Sequence, residues 1–124
     1  MTYNPVLRRY FLPNFSFLHP NRSVPSAWHN SVYDLLGSEE YKHRSQITIF
    51  EASMPWGPWR LVWRDDDAAA TFGIEGPYTP SFPSKFVQPN GDMWLSLSGH
   101  GHDPRARSPA YALHYAKVTF NDLQ

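Results

Sequence analysis

The sequence predicts an all-β fold made of short antiparallel strands joined by proline-rich loops. Three observations carry this: twelve prolines in 124 residues, an aromatic set of five Trp, seven Tyr and eight Phe, and apolar residues that recur with a period of two in several windows. Prolines interrupt helices, and aromatic side chains suit a pleated, half-buried surface.

The first strand is expected over Val6–Leu12, where Leu7, Arg9 and Phe11 alternate with Arg8 and Tyr10, after a turn at Tyr3-Asn4-Pro5. Alternation then dissolves from Asn14 to Arg44. This stretch reads as a long insertion, with Ser31 and Gly37 bounding a short helix that carries Val32, Leu35 and Leu36. Order returns at Gln46: Ile47, Ile49 and Glu51 share one strand face, and after a Pro55-Trp56-Gly57-Pro58 turn, Trp59, Leu61 and Trp63 alternate with Arg60, Val62 and Arg64. Asp65-Asp66-Asp67 closes this hairpin, because three adjacent carboxylates repel one another and belong in water. A proline-spaced connection over Gly76–Pro83 leads to a short strand at Ser84–Val87. Asn90-Gly91 then suggests a type I′ hairpin into Met93–Ser98, and a last strand is expected over Tyr111–Phe120.

About six or seven strands in two groups follow, each group the size of one propeller blade of roughly 40–50 residues. The expected organisation is a partial β-propeller of two antiparallel blades, residues 1–67 with the insertion at 14–45, and residues 68–124. Two blades cannot close a ring, so Met1 is expected to be an internal start and the chain the C-terminal part of a larger propeller.

Particular residues add a resemblance. Tyr3-Asn4-Pro5 with Arg9-Tyr10, Ile49-Phe50-Glu51-Ala52 followed by Pro55-Trp56-Gly57-Pro58-Trp59, Phe82-Pro83-Ser84-Lys85-Phe86, Met93-Trp94, Ser98-Gly99 and Tyr111-Ala112-Leu113 resemble the closing blades of a five-bladed β-propeller family. That family, long catalogued as a domain of unknown function, is similar to arabinanase-type and sialidase-type glycoside hydrolases. The resemblance covers most of the chain outside residues 14–45. It implies a polysaccharide ligand at a central channel, hydrolysis of an arabinan-like glycan in the complete protein, and secretion of full-length relatives. The earlier blades, which in such enzymes supply part of the catalytic centre, are missing from this sequence.

Composition excludes several other classes. Eleven Lys+Arg balance eleven Asp+Glu, so no nucleic-acid or anionic-membrane footprint is expected. The longest apolar runs fall far short of a membrane span and the opening residues lack a signal-peptide core, so the chain reads as soluble. Cysteine is absent, which removes disulfides and thiolate chemistry. Neither a phosphate-cradling glycine loop nor a Gly-x-Ser-x-Gly elbow occurs, and no cofactor is expected.

Glycoside hydrolysis needs two carboxyl groups across the scissile bond. Glu51 is the candidate catalytic acid, since aliphatic neighbours strip its solvation and suit it to proton donation; alternatively it ends the strand and pairs with an arginine. No convincing second carboxylate is present. Candidate substrate contacts are Tyr3, Asn4 and Lys85 if they lie on innermost strands, Trp56 as a stacking platform, and His100 and His102 at the channel mouth. Asn4 equally suits turn formation before Pro5, and Lys85 a solvated surface position. Trp59, Trp63 and Trp94 read as packing between blades. His100-Gly101-His102-Asp103 has metal-like residue types but falls short of a ligand set, so no metal site is expected. The rival readings are a non-catalytic glycan-binding module and a truncated chain without independent function. An open two-blade piece would expose edges that invite self-association or a companion chain carrying the other blades.

Overall fold

The protein is described from a computed structural model, for residues 1–17, 45–101 and 110–120. The described residues are all-β apart from one short helix and one 3-10 turn. Strands β1 (Thr2–Asn4), β2 (Arg9–Phe17), β3 (Ser45–Ala52) and β4 (Arg60–Asp65) form a four-stranded antiparallel sheet in the order β1-β2-β3-β4. Helix α1 (Ala68–Phe72) leads to a three-stranded antiparallel sheet of β5 (Ile74–Ser81), β6 (Met93–Gly101) and β7 (Ala110–Val118). Both sheets are meanders, and no helix among the described residues is long and apolar enough to cross a membrane.

One core joins the sheets. Phe11, Ile47 and Ile49 from the first meet Met93, Leu95 and Leu97 from the second, with Ala68, Ile74 and Phe82 between them. Phe11 is central: its ring lies 6.3 Å from Phe82 and 4.5 Å from Phe120. Burial of so many large side chains against one another is the dominant stabilisation of a domain this small.

Four elements differ from the sequence expectation, each for an identifiable reason. The first strand is split. Asn4 belongs to β1, and its side-chain oxygen accepts from the Val6 and Leu7 amides, both at 3.1 Å, so the chain turns over residues 5–8 and resumes as β2 at Arg9. The second half then runs through Pro13 to Phe17. Because β1 reaches only as far as the Thr2–Phe11 pair, no strand among the described residues lies beside Pro13 on that flank to need its missing N–H. Next, the expected connection over 76–83 is largely β5. Its ladder to β6 shifts register on both sides of Tyr78, as an edge strand carrying Pro77 and Pro80 must. Conversely, the expected strand at 84–87 is a 3-10 turn, closed by Phe86 N to Pro83 O at 3.0 Å.

Two turn assignments also change. The Asn90-Gly91 turn is present, but only Gly91 takes positive φ, +90°, so it is not type I′; Gly91 N bonds Gln88 O at 2.9 Å. The aspartate run does more than close a hairpin: Asp65 ends β4, and Asp67 caps α1 through Ala70 N at 3.3 Å. The helix expected within 31–37 lies outside the described residues. In β7 the expected faces are observed, with Leu113, Tyr115, Lys117 and Thr119 exposed and His114, Ala116, Val118 and Phe120 turned inward.

Candidate functional site

Strand direction brings three turns to one end of the molecule. Asn4 opposes Arg9 and Tyr10 opposes Ala52, so the β1–β2 and β3–β4 turns leave the first sheet at the same end. Asn4 Nδ2 then donates to Gly91 O at 2.7 Å, and Thr2 Oγ1 to Phe82 O at 2.5 Å, fastening the 82–92 segment of the second sheet beside them. Gly91 must be glycine here, since a Cβ would lie 3.0 Å from the Leu7 side chain in addition to the positive φ.

Glu51 sits one residue inside this end, opposite Phe11 on one side and Arg60 on the other. It is 4% exposed. Arg60 donates to its Oε1 through both Nε, at 3.1 Å, and Nη2. Oε2 is buried without a hydrogen-bond partner. Such a group has been desolvated without full replacement of its water contacts, a cost that a donor reaching it would relieve. The β3–β4 turn above it raises Trp56 into solvent at 79% exposure, beside exposed Met54, while Gly57 closes the turn with φ +93° and N to Met54 O at 3.0 Å.

The remaining candidates are distributed unevenly. Asn4 is fully buried and spends its amide on Gly91 O and the Val6 and Leu7 amides, so it holds the turn instead of presenting a group to solvent. Tyr3 is half exposed on the opposite face of the first sheet, its ring 4.8 Å from Tyr10. Lys85 is exposed on the 3-10 turn with Nζ 5.0 Å from the Phe86 ring centroid, a cation–π contact. His100 lies in β6, opposite Tyr111 and at the other end of the sheet from Asp92 and Met93; His102 lies outside the described residues. Among the described residues no group of three or more His, Cys, Asp or Glu is placed to hold a metal ion.

Two contacts at this end go beyond the sequence reading, which gives Asp92 a structural place after the Asn-Gly turn and names no particular arginine for Glu51. Asp92 is buried, with Oδ2 held by Lys117 Nζ and Asn90 Nδ2, each at 2.9 Å. The Lys117 hydrogen bond, helped by Asn90, keeps its carboxyl below the usual aspartate range. The Arg60–Glu51 pair is the other, and counting back across the β3–β4 turn would have placed Arg60 opposite Glu51. The tryptophans divide as well: Trp59 and Trp94 are half-buried, whereas Trp63 stands at the mouth of a cleft of about 390 Å³ between the sheets, 6.3 Å from Phe72. A one-residue bulge makes this possible, since Ile49 opposes Trp63 while Phe50 opposes Leu61, leaving Val62 unpaired. The cleft is lined mainly by apolar groups such as Ile49, Leu95 and Phe120, and Glu51 is not among them.

Comparison with known proteins adds no identity: no family model, no curated protein and no solved structure matches this chain.

Proposed function

We propose that the chain is a glycan-binding module, a pair of blade-like meanders from a β-propeller of the carbohydrate-active kind, with its ligand at the three-turn end. The observation that carries the reading is the β3–β4 hairpin, which holds an exposed indole, Trp56, at its tip and a buried carboxylate with one bare oxygen, Glu51, at its base. A sugar ring offers an apolar C–H face to an indole and hydroxyl donors to a carboxylate, so the two groups address the two halves of its chemistry. Two meanders stacked on one core, in the order expected of consecutive blades, are compatible with the propeller reading.

Binding is favoured over hydrolysis by the state of the carboxylates. Hydrolysis takes a pair of free carboxyl groups roughly 5–9.5 Å apart. At this end each buried acid is already engaged by a cation, Glu51 by Arg60 and Asp92 by Lys117. Isothermal titration of the chain with arabinan and other oligosaccharides tests the proposal. Saturable binding without release of reducing ends is the expected result, and Trp56→Ala should weaken it roughly tenfold or more, as truncation of a central tryptophan does. Undiminished binding after Trp56→Ala would refute the assignment of the site, and turnover abolished by Glu51→Gln would replace binding with catalysis.

A further inference from the structure

The charge of the chain is zero overall but not locally. The described residues at the three-turn end include Arg8, Arg9, Arg60, Lys85 and Lys117, against only two carboxylates, Glu51 and Asp92. Arg60 and Lys117 are taken up by those two, while Arg8, Arg9 and Lys85 make no ion pair among the described residues. The opposite end is where the aspartate run lies, with Arg64 bound to Asp66 at 2.6 Å and Asp65 and Asp67 tied to the backbone amides that begin α1.

Distance decides whether the two ends cancel. An eight-residue strand such as β3 spans about 25 Å. Electrostatic screening at physiological salt has a length of about 8 Å. Among the described residues, the charges within that length of a ligand at the three-turn end are the excess of cations and not the aspartates. The zero net charge that argues against nucleic acid on the scale of the whole chain leaves an anion-attracting end intact.

Backbone conformation supports the same site. Arg8 is held at φ +53°, a region that side chains with a Cβ enter at a cost and that asparagine or glycine would occupy more readily. Keeping arginine there places a guanidinium on the β1–β2 turn between the Asn4 clamp and β2. Lys85, seated against Phe86, is directed by that ring instead of ranging freely.

We infer that the ligand of this end is an anionic polysaccharide, one whose sugars carry carboxylate or sulfate groups, with Arg8, Arg9 and Lys85 contacting the charges and Trp56 stacking on a ring. This rests on the glycan-binding reading above and narrows it to a ligand class. Single-stranded nucleic acid shares the chemistry of charge and stacking, but one exposed indole and three cations make a short site for a polymer that is charged at every nucleotide.

The test compares oligogalacturonate with neutral arabinan oligosaccharide of equal length, by isothermal titration of the full chain. At low salt the uronate is expected to bind roughly tenfold more tightly, the summed effect of three exposed ion pairs. That advantage should shrink as salt rises from about 50 to about 300 mM, whereas arabinan binding should hold. The combined variant Arg8→Asn, which tolerates the same φ, with Lys85→Gln should erase most of the difference while melting at the wild-type temperature. Equal, salt-insensitive binding of both sugars would overturn this inference and leave the glycan-binding reading standing; binding of neither, even by sulfated oligosaccharides, would overturn both. Tighter binding of an oligothymidylate than of the uronate would also overturn it, in favour of a nucleic-acid partner.

Discussion

Among the described residues two carboxylates are buried at the three-turn end, Glu51 in β3 of the first sheet and Asp92 in the turn just before β6 of the second, each beside one long cation, and they are held in different ways. The Asp92 carboxylate is engaged through Oδ2, which Lys117 and Asn90 share, while its backbone is tied to the turn: its amide donates to Asn90 Oδ1 at 3.1 Å and its carbonyl accepts from Gln88 N at 2.8 Å. Glu51 is engaged through Oε1 alone, and Oε2 is bare. Asp92 thus fixes the 88–92 turn through side chain and backbone together, whereas Glu51 makes no turn contact and its second oxygen is sealed in without a partner. Burial of a titratable group is by itself uninformative; its remaining hydrogen-bond capacity separates a structural pin from a group that can answer a ligand.

The largest expected effect comes from the most completely satisfied polar side chain. Asn4→Ala strands the Gly91 carbonyl and the Val6 and Leu7 amides, and should lower stability by about 3 kcal/mol, at roughly 1 kcal/mol for each lost hydrogen bond. Urea unfolding of the variant measures it; a loss below about 1 kcal/mol would mean that water replaces the amide.

Breaking the Glu51 pair should cost somewhat less, because Arg60 is largely exposed and water can approach its place. Arg60→Ala leaves a buried carboxylate without its donor and is expected to destabilise by about 2 kcal/mol. Adding Glu51→Gln to Arg60→Ala should recover much of this. A double-mutant cycle showing no coupling would contradict the picture of a buried acid held by a single arginine.

The acid limb of stability sharpens the contrast from the other side. Asp92 has its folded-state pKa lowered, so its contribution is complete above the ordinary aspartate range near pH 4 and is lost as pH falls through the depressed folded value. Asp92→Asn should flatten this part of the stability–pH curve, and Lys117→Met should weaken it. Unchanged acid sensitivity in Asp92→Asn would assign it to other carboxylates.

The smallest effect on folding belongs to the residue expected to matter most for binding. Trp56→Ala, at an exposed turn tip, should shift stability by no more than about 0.5 kcal/mol. A larger loss would give Trp56 a packing role and remove the separation between scaffold and ligand contact.

Local chemistry made several features legible from sequence. The alternation of Ile47, Ile49 and Glu51, the Pro-Trp-Gly-Pro turn and the two faces of β7 depend on residues within a few positions of one another, and the structure shows each. Prolines misled where their effect depends on neighbours: Pro13 is accommodated because β1 is too short to reach it, and Pro77 and Pro80 because β5 is an edge. Nothing in the local sequence states which strand ends a sheet.

The site divides along the same line. The sequence alone determined an all-β chain, an exposed aromatic turn and an acid on an apolar strand face, because period-two patterning and turn chemistry are short-range properties. Tertiary structure decided that Asn4 ties two sheets together, that Arg60 occupies only one oxygen of Glu51, and that five of the six Lys and Arg among the described residues lie at one end. Those outcomes depend on register and sheet packing between residues as many as 87 positions apart, and each is set by the free energy of the assembled core, to which no single segment holds the information.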